Sequence, residues 1–108
     1  MINVKFFKEN QKLVAFNIDG HAGFAEHGYD IVCSAVSAIS ITIVNGITEV
    51  LKLEVPYKVK DGFLNLTLKG MSFEDMDRCA VLMETMLVGL KNMEVNYSDY
   101  IKVTVEEV

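Results

Sequence analysis

The chain has 108 residues, with ten lysines and arginines against fifteen aspartates and glutamates, for a formal net charge of −5. That length suits one domain spanning 1–108, and the acidic balance argues against nucleic acid as a direct partner, because phosphate binding needs a basic surface. The hydrophobic fraction of 51% and mean hydropathy of +0.27 are high for a soluble chain, so spare apolar surface and a homodimer are expected.

In chain order, residues 2–7 (INVKFF) alternate, with Ile2, Val4 and Phe6 on one face, and 12–19 (KLVAFNID) form a second strand-like run. The short polar stretch Lys8-Glu9-Asn10-Gln11 between them predicts a hairpin. This opening lacks the apolar core of a signal peptide, and a cytoplasmic location is expected. Residues 20–29 (GHAGFAEHGY) hold Gly20, Gly23 and Gly28, a glycine density that marks a loop. Asp30 then reads as the N-cap of a long helix, whose Val32, Val36, Ile39, Ile43, Ile47 and Val50 recur every three or four residues. Small residues (Ser34, Ala35, Ser37, Ala38) cover much of its first half, which places it centrally, packed on several sides. Its greasy stretch Ile31 to Leu53 is interrupted by serines, threonines, Asn45, Gly46, Glu49 and Lys52, and no membrane span is expected.

Pro56 closes that helix off. Residues 54–60 and 62–68 read as strands joined at Asp61-Gly62. Ser72 with Asp75 resembles a capping box for a second helix reaching to about Asn92, with Met76, Cys79, Ala80, Met83, Leu87 and Leu90 as its stripe. Residues 99–107 close with an alternating strand. The order ββαββαβ predicts a single-domain α+β fold, a mostly antiparallel sheet packed with two helices. Strand order does not follow from this pattern.

The two cysteines, Cys33 and Cys79, form no CxxC and stand in no ligand cluster, so neither a structural disulfide nor a metal site is expected. The chemistry concentrates in Gly20 to Ser40, GHAGFAEHGYDIVCSAVSAIS, where two histidines, a glycine-rich loop, an acidic cap and a cysteine fall within 14 residues. With Asp30 as cap, Cys33 falls in the first helical turn, where the helix terminus favours a thiolate and an imidazole from the same loop can take the proton. Two readings stand at this point: an activated nucleophile, or a small core residue early in an apolar helix. Both His21 and His27 are candidate bases. Cys79, on the stripe with Met76 and Met83, reads as core. The methionines Met76, Met83, Met86 and Met93 read as core, with an adaptable apolar pocket as the second reading.

The segment closely resembles the signature of the ribosomal-processing cysteine protease family, Prp, which joins a Gly-His-Ala-Gly stretch to an Asp-Ile-Val-Cys-Ala-Ala-type helix start. The match covers Gly20, His21, Ala22, Gly23, Gly28, Asp30, Ile31, Val32, Cys33, Ala35, Val36 and Ser37, with Ser34 where alanine is common. The length and the ββαββαβ order are similar over the whole chain. The resemblance implies a dyad of Cys33 as nucleophile and His21 as general base and acid. It implies removal of a short, phenylalanine-rich N-terminal extension from a basic protein of the large ribosomal subunit, a homodimer, and no cofactor or metal. Gly20, Ala22, Gly23 and Phe24 become the expected substrate loop, its backbone N–H groups candidate oxyanion donors. His27 is then peripheral and Asp30 a helix cap. The competing reading is a ribosome-associated binding module in which Cys33 only packs.

Overall fold

The computed structural model describes residues 1–21, 27–60 and 62–108, with His21 and 27–30 described by backbone alone. Strands β1 (Ile2–Glu9) and β2 (Lys12–His21) form a hairpin, followed by helix α1 (His27–Asn45). A π-helical turn, Gly46–Val50, extends α1. Then come β3 (Tyr57–Lys60), β4 (Gly62–Thr67), α2 (Phe73–Asn96) and β5 (Ile101–Glu107). The strands lie in the order β3-β4-β2-β1-β5. Three pairings are antiparallel, and β1 with β5 is parallel. The ββαββαβ order is as read from the sequence.

The β1–β2 turn is made by Asn10 (φ 51°) and Gln11 (φ 66°), the left-handed pair that a two-residue hairpin requires for its twist to match the strands. Alternation then decides which face is buried. Ile2, Val4, Phe6, Phe16, Ile18, Leu64, Leu66, Ile101 and Val103 form the core face, under α1 and α2. Phe6 and Phe16 meet across the hairpin with ring centroids 5.9 Å apart. Asp19 is exposed on the other face.

Each helix packs by a stripe that differs slightly from the expected one. On α1, Val32, Cys33, Val36, Ile43, Val44 and Ile47 are buried, while Val50 is 77% exposed. The π-helical turn rotates the chain just before Val50, and Lys52 in the left-handed region (φ 59°) then ends the helix. Leu53 N donates to Ile47 O at 3.1 Å, a seven-residue closure, one residue wider than the usual six-residue end of an α-helix. Helix α1 therefore stops well before Pro56. Gly46 allows the helices to meet closely: a Cβ there would lie 3.0 Å from Leu82 Cδ1. On α2 the buried residues are Cys79, Met83, Met86 and Leu90. Met86, absent from the expected stripe, is among them, and α2 runs to Asn96, past the predicted end at Asn92.

Ile31–Val50 is long and apolar enough, with a hydropathy of 1.9, to cross a membrane by length and composition. Its polar interruptions thus disqualify it less than its sequence suggests. In the fold one face of it lies in the protein core, and the hydroxyl of fully buried Ser40 donates to Val36 O at 2.7 Å, so it serves here as a core helix.

Strand β3 starts at Tyr57, not 54, since Pro56 has no N–H for the ladder; its carbonyl still accepts from Thr67 N at 3.1 Å. The turn residue Asp61 lies outside the described residues. At the other sheet edge, Glu94 of α2 reaches over and accepts from Val103 N at 2.7 Å.

Candidate active site

The sheet has two distinct ends. At one, the β1–β2 turn meets the start of α2. There Ser72 Oγ accepts from Asp75 N at 3.1 Å, the cap predicted from the sequence. Lys12 Nζ lies 3.0 Å from Asp77 Oδ1 and 3.7 Å from the Phe73 ring centroid.

At the opposite end β2 finishes at His21, and six residues later α1 begins at His27. This short connection brings the end of β2 and the start of α1, with Cys33 in its second turn, to the same end of the sheet. Ala22, Gly23 and Phe24 of the expected loop lie outside the described residues, as do the side chains of His21, His27 and Asp30. The described part of the expected loop is shorter than 20–29: Gly20 and His21 are strand, while His27, Gly28 and Tyr29 are helix.

Asp30 was expected to precede the helix, but it is the fourth residue of α1. Gly28 stands at the second helical position, and glycine's helix penalty belongs to helix interiors. The shift has a chemical consequence. Cys33 becomes the seventh residue of α1, in its second turn rather than its first. A helix terminus acts mainly over its first turn, so its hold on any Cys33 thiolate is weaker than the sequence suggested. The N–H groups without partners inside a helix are the first four, here those of His27, Gly28, Tyr29 and Asp30. These backbone groups, rather than the N–H of Cys33, are the donors α1 leaves available.

Cys33 is 9% exposed and packs in the same core as Val32, Val36, Ile18 and Leu64. Neither cysteine forms a disulfide. Cys79 is fully buried. Burial pushes its thiol above its ordinary value, with Asp75 adding to the rise and Arg78 opposing it, which is the behaviour of an inert packing thiol. Among the described residues no group of three His, Cys, Asp or Glu side chains is placed to hold a metal ion.

One feature of this end has a weak signal in the sequence. Gly20 sits inside a strand, not in a loop, with φ +94°, and the pairing of β2 with β4 slips between Asp19 and His21. A glycine at the end of an alternating run is the only sequence sign of such a bulge.

The family model for cysteine protease Prp matches residues 1–102. The ribosomal processing cysteine protease Prp of Bacillus subtilis is 32% identical, with 96% of each chain covered. Its Staphylococcus aureus counterpart is 29% identical, with 79% of each covered. Among solved structures, a protein of Streptococcus mutans superposes with a TM-score of 0.90 at 26% identity, over 100% of this chain and 96% of that one. The S. aureus protease Prp in complex with a substrate peptide superposes at 0.86, with 27% identity over 98% and 100%. The same enzyme with a covalently linked product peptide gives 0.82, again at 27% identity over 98% and 100%. The thiol at the start of α1, the histidine ending β2 and these likenesses lead to one assignment: this chain belongs to the cysteine protease Prp family.

Proposed function

We propose that this enzyme is a cytoplasmic cysteine endopeptidase that removes the N-terminal extension of a large-subunit ribosomal protein, with Cys33 as nucleophile and His21 as base. The observation that carries the reading is that β2 ends at His21 and the next element in the chain, α1, holds Cys33 in its second turn. Two further facts support it. The curated relatives are ribosomal processing proteases, and the S. aureus enzyme has been seen with a peptide covalently linked to it.

The chemistry then runs in two halves. His21 takes the Cys33 thiol proton, and the thiolate attacks the scissile carbonyl. N–H groups from the start of α1 and the preceding loop stabilise the oxyanion. Collapse breaks the C–N bond, the imidazolium protonates the departing amine, and a thioester remains on Cys33. His21 next deprotonates water, which attacks the thioester and releases the new carboxylate while the thiol regains its proton. The acidic net charge suits a basic ribosomal protein as substrate.

The test is mass-spectrometric cleavage of a peptide spanning the extension junction. Wild type and Cys79→Ala cleave it; Cys33→Ala, Cys33→Ser and His21→Ala do not. A wild-type chain that cleaves nothing, with a Cys33 inert to iodoacetamide at pH 7, would return Cys33 to the core and leave a binding module.

The expected homodimer is part of this proposal. Val81, Val88 and Val95 are 75%, 58% and 80% exposed and recur every seven residues along α2, a spacing suited to helix pairing. Sedimentation of wild type as a dimer, with Val88→Glu as a monomer, is the expected result; a wild-type monomer refutes it.

A further inference from the structure

Gly20 has a role that its place in a glycine-rich segment does not suggest. Along β2 the partners on β4 run Asn17↔Asn65, Ile18↔Leu64 and Asp19↔Phe63, then His21↔Gly62. Gly20 has no partner on β4: two residues of β2 pass while β4 advances by one. Side chains alternate between faces with a period of two, so one extra residue moves everything beyond it to the other face. Leu64 and Leu66 are buried under the helices, and Gly62, two residues before Leu64, stands in the same rank. His21, paired with Gly62, therefore occupies a register position on the helix face, the face of Ile18. Without the bulge it would share the face of exposed Asp19, away from α1. The core that contains Cys33 also contains Ile18 and Leu64.

We infer that Gly20 is a positioning residue: the one-residue bulge it forms carries His21 from the open face of the sheet to the face that holds Cys33. Two independent constraints require glycine. Its φ of +94° is strained for any L side chain. A Cβ built there would stand 2.3 Å from the Met1 carbonyl oxygen, a backbone atom. The inference rests on the dyad reading above and gives Gly20 a part in it distinct from donating a hydrogen bond to the substrate.

The experiment compares the intact chain with Gly20→Ala, with one alanine inserted between Gly20 and His21, and with His21→Ala. The insertion keeps Gly20 and its φ but moves His21 one place past Gly62, to a register position on the open face, so it keeps the test open if Gly20→Ala fails to fold. Circular dichroism reports folding, the junction peptide reports kcat/KM, and iodoacetamide alkylation of Cys33 across pH reports whether an imidazole titrates with the thiol. The insertion variant is expected to fold, to lose about 10²–10⁴ in kcat/KM, the usual worth of a general base, and to lose the imidazole inflection, matching His21→Ala in both. A purely structural role for Gly20 would lower stability and leave the inflection in place. If His21→Ala is inactive but the folded insertion variant keeps wild-type turnover and pH profile, this inference falls and the dyad stands. If His21→Ala itself keeps full activity, the dyad reading falls and takes this inference with it.

Discussion

The two cysteines make a natural control for each other. Cys33 is the seventh residue of α1 and Cys79 the seventh of α2, both are buried, and their helices start at opposite ends of the same sheet. What differs is the approach to each helix. Helix α2 starts from a serine cap, with Glu74 and Asp75 in its first turn. That acidic turn suits the helix dipole but opposes any thiolate nearby, and Asp75 indeed raises the Cys79 thiol. Helix α1 starts just after a bulged strand that ends in histidine. Burial and helix position are thus nearly matched, so the reactivity proposed for Cys33 alone must come from the neighbouring chain and not from the helix. A cysteine's place in a helix says little until the residues before that helix are known.

The largest expected effect separates the two thiols outright. Cys33→Ala should abolish junction-peptide cleavage, a loss of at least about 10³-fold, with the fold kept. Cys79→Ala should keep kcat/KM within about twofold while losing about 1 kcal/mol of stability, as removal of one buried atom group costs; denaturant melts alongside turnover check both. Equal losses of activity would break the comparison.

Next in size, the capped start of α2 should matter for stability alone. Ser72→Ala removes the acceptor for Asp75 N and should cost about 1 kcal/mol, read as a shifted urea midpoint with unchanged turnover. Lys12→Ala loses a mostly exposed ion pair with Asp77 and a contact with Phe73, and should cost no more than about 1 kcal/mol.

The smallest effect is a pH dependence. The Cys79 thiol is raised above its ordinary 9.0 by burial. Its contribution to stability is therefore full below pH 9 and is lost as pH rises through the folded value. Unfolding free energy above pH 9 should fall more steeply in wild type than in Cys79→Ala; parallel curves would mean that Cys79 is less shielded than its burial implies.

Local chemistry was legible in the sequence where it is complete within a few residues. The polar Lys8–Gln11 turn and the Ser72–Asp75 cap both appear where expected, because each is closed by its own neighbours. Val50 defeated the periodic reading because a π-helical turn, set by tertiary packing, shifts a stripe without changing its composition; Met86, seven residues after Cys79 and three after Met83, lies on the regular helical spacing, so its burial needs no such shift. Asp30 looked like a cap because its residue type suits one, yet where a helix begins also depends on how far the preceding strand runs. The strand order was out of reach because its decisive pair, β1 with β5, joins residues about a hundred positions apart. At the site, Cys33, His21 and His27 stand out by residue type and only the family resemblance chooses between the histidines, whereas the bulge at Gly20 shows only as a break in pairing with β4, a strand more than forty residues away.

That same β1–β5 pairing governs the order in which the protein is completed. Ile2 through Lys8 align with Ile101 through Glu107, so the first strand made receives its second neighbour only when the last one is made. Until then a newly synthesised chain carries β1 as an exposed edge, the kind that pairs with other chains. Long-range closure of this sort is slow, so the arrival of β5 decides how long the β1 edge of a nascent chain stays vulnerable to aggregation.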